Sequence, residues 1–81
     1  MMEERLHLVK ELLSAEAELR YAADIVAAAV SIVHYLGEKG ELGGAAAENI
    51  AKYISSALDT MKAAERKLSS AAARLEALRQ K

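Results

Sequence analysis

Eighty-one residues, 53% of them hydrophobic and 28% charged, describe a single domain spanning 1–81 rather than a disordered tail or a string of modules. Aromatics make up only 4%, Phe, Trp, Cys and Pro are absent, and alanine dominates the apolar content, so the core is thin and has no disulfide or Cys-ligated zinc to supplement it. The formal net charge of −1 comes from acids and bases mixed along the chain, which gives no field favouring nucleic acid or an anionic membrane.

Residues 1–5 lack a basic segment followed by an apolar run, which argues against a signal peptide. A first helix is expected over 3–36. Glu4 and His7 share one of its faces at the i, i+3 spacing that metal-binding bundles use, but the motif occurs once and in a fraying first turn. No metal site is expected from it. Leu8, Leu12, Ala15, Leu19, Ala22, Val26, Ala29, Val33 and Leu36 then recur at alternating steps of four and three, the spacing of a coiled-coil seam. The longest apolar stretch, 22–36, is interrupted by Asp24 and His34 and falls short of the roughly twenty residues of a membrane span. A soluble, cytoplasmic chain is the expectation. Asp24 and Ser31 share one face, expected to meet water, or a lumen in an assembly larger than a dimer. His34 stands four residues before Glu38 and is expected to act as a hydrogen-bonded side chain near the helix end rather than as a ligand.

All four glycines lie in the segment GEKGELGG, which sets the loop at 37–44 with Gly37 as the left-handed residue that ends the first helix. A second helix follows over 45–80. Its seam is Ala47, Ile50, Ile54, Ala57, Met61, Ala64, Leu68, Ala71, Leu75 and Leu78, while Ser55, Ser56 and Thr60 form a polar strip. Lys10, Arg20, Lys52, Lys62 and Arg66 are scattered among acids with no aromatics beside them for base stacking, so no nucleic-acid partner is expected.

A short loop between two long helices makes them antiparallel neighbours. Docking the seams so that facing residue numbers add to 83 sets Leu12 against Ala71, Leu19 against Ala64 and Ala29 against Ile54, a large side chain facing a small one in each layer. The same register brings Glu4 opposite Lys81, Glu11 opposite Arg74 and Glu18 opposite Lys67. The pattern resembles the alanine-rich antiparallel pairing of Rop-like and ferritin-like bundles, a likeness of spacing and not of family. Beyond the seam the first helix carries Leu6, Val9, Leu13, Ala23, Ala27 and Val30, and the second adds Leu58. A lone hairpin would leave that stripe wet, so it is expected to be an oligomer interface, most simply of a homodimeric four-helix bundle, with a larger ring through Ile25, Ile32 and Tyr53 as the alternative.

No catalytic residue, cofactor or small-molecule ligand is expected, because no nucleophile stands with a base at a spacing that one sequence can expose. The expected function is a structural, self-assembling helical bundle, and its regular register and restricted alphabet are traits shared with de novo designed bundles. The alternative is an interaction module that presents its apolar face to a helix of another protein.

Overall fold

The computed structural model of the chain describes residues 2–80, and within them the protein is two helices, α1 (Met2–Lys39) and α2 (Gly44–Arg79), packed against each other with no strand among the described residues. The molecule is a rod of 60 × 15 × 14 Å. Glu3 and Glu4 in the first turn of α1 and Lys39 in its last complement the helix dipole. Nothing in either helix interior breaks it, since the chain has no proline.

The first helix continues one turn beyond its expected end. Gly37 lies inside α1, and Gly40, at φ +70°, is the left-handed residue that stops it. The Gly40 N–H donates to the Gly37 carbonyl at 3.2 Å and the Glu41 N–H to the Leu36 carbonyl at 2.9 Å, the paired bonds of a Schellman turn. The extra turn is supported from its own side chains. His34 Nε2 is 3.2 Å from Glu38 Oε1, and the Lys39 ammonium lies 4.6 Å from the centre of the Tyr35 ring. Those i, i+4 contacts offset the cost of about 1 kcal/mol that a glycine imposes inside a helix. Gly43 is extended and supplies no side chain to cap α2; its carbonyl accepts the first helical bond, from the Ala47 N–H at 3.3 Å.

The interface between the helices is narrower than the seams anticipate. Leu8, Ala15, Ala22 and Ala29 are buried at every seventh position of α1, and Ala57, Ala64 and Ala71 at every seventh of α2. Most of the larger members of each seam are not. Leu12, Leu19, Val26 and Val33 on α1, and Ile54, Met61, Leu68 and Leu75 on α2, are between 38% and 50% exposed. Two helices in contact can each fully enclose only one column of side chains; the next column, half a quadrant round, closes only when further helices cover it. Alanine in the enclosed column lets the backbones approach closely, and the bulky side chains are displaced to the shoulder.

Partners along the interface run in opposite order on the two helices. Glu4 meets Arg74 and Glu18 meets Lys67, while Ile32 and Leu36 line a groove with Ile50 and Tyr53. Ala22 shares a groove with Met61, and Ala29 shares one with Ile54. By length and composition α1 is also apolar enough to cross a membrane, a point that the count of uninterrupted apolar residues misses.

Candidate functional site

The two flanks of the alanine column differ in character. On one flank the Lys67 ammonium donates to Ser14 Oγ at 2.7 Å and to Glu18 Oε1 at 2.8 Å, bridging the helices in a partly buried site. Arg74 reaches Glu4 at 3.7 Å rather than the expected Glu11, whose Oε1 is buried with no hydrogen-bond partner. Arginine's stem spans more than a helical turn, so register alone does not select its partner. The pairing of Glu4 with Lys81 lies outside the described residues. Nearer the loop this flank turns apolar: Ile25 is buried against Ala22 and Ala57, and Ile32 and Tyr53 rim the groove beside Leu36 and Ile50.

The other flank is an apolar face along the rod. Its inner columns are the seam residues left half exposed, Leu12 to Val33 on α1 and Ile54 to Leu75 on α2. Two grooves indent it, one of about 470 Å³ lined by Val26, Ala29, Val30, Val33 and Ile54 with His34 at its edge, the other lined by Leu19, Ala22, Ala23, Val26 and Met61. Val26 belongs to both. The residues expected to form an interface continue this face outward: Leu6, Val9, Leu13, Val30 and Leu58 are each at least 46% exposed, and Ala23 and Ala27 are exposed too. The stripe read from the sequence is thus the outer part of a broader surface. A four-and-three spacing places its inner part in the core, because it identifies an apolar sector without saying which half of it two helices can cover. The strict sevenfold recurrence of alanine was the signal that could have separated them.

Polar side chains with chemical potential stand apart from one another. His7, Asp24 and Ser31 are exposed, and Thr60 Oγ1 donates to the Ser56 carbonyl one turn back at 3.1 Å. Among the described residues no three metal-ligating side chains converge. His34 is engaged with Glu38 on the surface. What runs along the length of the rod is the apolar face. No protein-family model matches the chain, and neither a curated protein nor a solved structure shows significant similarity to it.

Proposed function

We propose that the chain is an antiparallel helical hairpin whose role is structural: two copies associate through the apolar face into a four-helix bundle, with no catalytic centre. The observation that carries this reading is area. A compact chain of 8.7 kDa exposes about 4,700 Å², whereas this one exposes 6096 Å². The excess, about 1,400 Å², is larger than the roughly 800 Å² that each partner contributes to a standard interface. A core made of alanine is too small to hold the hairpin alone, and the half-exposed leucine, isoleucine, valine and methionine side chains are the apolar area that association would bury.

A second reading follows from the apolar length of α1, namely a hairpin that enters a lipid bilayer. Against it, α2 carries Lys52, Asp59, Lys62, Glu65 and Arg66 within fifteen residues, so the paired helices cannot cross together without burying those charges. Sedimentation equilibrium over a range of concentrations separates the readings. Self-association gives twice the chain mass of 8.7 kDa with concentration-dependent melting. Val26→Glu, at the residue common to both grooves, buries two unpaired charges per dimer and shifts the protein to monomer. A wild-type chain that stays monomeric at all concentrations overturns the proposal. It then favours a heterologous partner helix, or a bilayer if the protein pellets with neutral lipid vesicles.

A further inference from the structure

The exposed face carries few charges, and their placement discriminates between the two ways in which a second copy can dock. The column one residue past the enclosed alanines is apolar except at Glu16 on α1 and at Glu65 and the terminal Arg79 on α2. Ala22 with Met61 and Ala29 with Ile54 line common grooves, so an α2 residue is level with the α1 residue whose number adds with it to 83. Glu65 is therefore level with position 18, about 3 Å along the rod from Glu16. One turn nearer the loop, Arg20, which pairs with Glu16 at 3.2 Å, is level with Lys62 to within a residue. An acidic rung therefore crosses the face, and a basic rung lies beside it at the outer edges, in the columns two residues before the enclosed alanines that also hold Leu13 and Ala27 on α1 and Glu48 and Glu76 on α2.

Resting on the self-association proposed above, we infer that the second copy lies with its loop at the opposite end of the bundle. A two-fold axis along the rod would put both loops at one end and lay α1 over α2 of the second copy. Glu16 would then stand on Glu65 of that copy and Arg20 on its Lys62, like charge on like at both rungs. A two-fold axis across the rod lays α1 over α1 and α2 over α2, running oppositely. Placed between the rungs, that axis brings Glu16 to Arg20 of the second copy and Glu65 to its Lys62. The rungs lie near the middle of α1, so this placement also overlaps the two faces over almost their whole length. Charge complementarity and apolar overlap are satisfied by one arrangement.

The chain has no cysteine, so Glu41→Cys in the exposed loop takes a single spin label. In the dimer the inferred arrangement gives a label separation approaching the 60 Å length of the rod. Loops at one end would give about two helix diameters, on the order of 20 Å. Glu65→Lys reads the same question through affinity. It replaces attraction by repulsion in the inferred arrangement and weakens the dimer about two- to tenfold, and Lys62→Glu added to it restores affinity. With loops at one end Glu65→Lys would tighten the dimer instead. A dimer with the short distance, or one tightened by Glu65→Lys, overturns the orientation and leaves self-association standing. A monomer by sedimentation overturns the underlying reading, and a trimer or larger ring overturns the two-fold arrangement.

Discussion

Ala64→Leu tests the closeness of the two helices. Ala64 is 0% exposed and sits between Ala57 and Ala71 in the enclosed column of α2. Leucine adds three carbons there. If space existed, burying them would contribute about 2 kcal/mol at roughly 0.8 kcal/mol per methylene. The site has none, so the new side chain must push the axes apart, and the neighbouring alanines lose contact with α1 in proportion. Overpacking of this kind costs about 1 to 3 kcal/mol. For a domain of this size that lowers the melting temperature by roughly 5 to 20 °C. Thermal melts followed by far-ultraviolet circular dichroism at one fixed protein concentration measure it, with Ala73→Leu, on the exposed back of the same helix, as the reference. The reference should change stability by less than about 0.5 kcal/mol. Equal tolerance of leucine at both positions would refute the close approach.

The loop offers a pair of substitutions with opposite signs. Gly37→Ala, inside α1 with open space around its Cβ position, should stabilise by about 0.5 to 1 kcal/mol, whereas Gly40→Ala, at φ +70°, should destabilise by about 1 kcal/mol. Denaturant midpoints decide it, and a stabilising Gly40→Ala would contradict the Schellman turn. Lys67→Met removes the bridge to Ser14 and Glu18. Water still reaches that site, so the expected cost is about 0.5 to 1.5 kcal/mol, diminishing as salt screens the wild-type pair. Val26→Glu should give a monomer in sedimentation, and Glu65→Lys a weaker dimer.

The two helices were legible because one apolar sector repeats along each and all four glycines cluster within eight residues at the junction between them. The end of α1 was not: Gly37 and Gly40 each satisfy the rule for a terminating glycine, and the choice depends on side-chain contacts of His34 and Tyr35 one turn earlier. The seams show the same limit from another side. Spacing placed Leu19 and Ala22, or Met61 and Ala64, in one sector, yet which of each pair is enclosed depends on how many helices share the core. Long side chains add a third limit, since Arg74 turned to Glu4 although register pointed to Glu11.

An enclosed column of alanines also fixes what unfolding looks like in a calorimeter. Heat-capacity change and denaturant sensitivity both scale with the apolar surface that unfolding newly exposes. In a single hairpin that increment is small, because methyl groups are most of what is hidden and the large side chains are already hydrated. A dilute sample should therefore melt broadly, with a heat-capacity step below the roughly 12 to 15 cal/mol/K per residue typical of globular domains. Concentrating it should enlarge that step toward the ordinary value. The size of the step would then measure how much of the face is covered, without any label or partner.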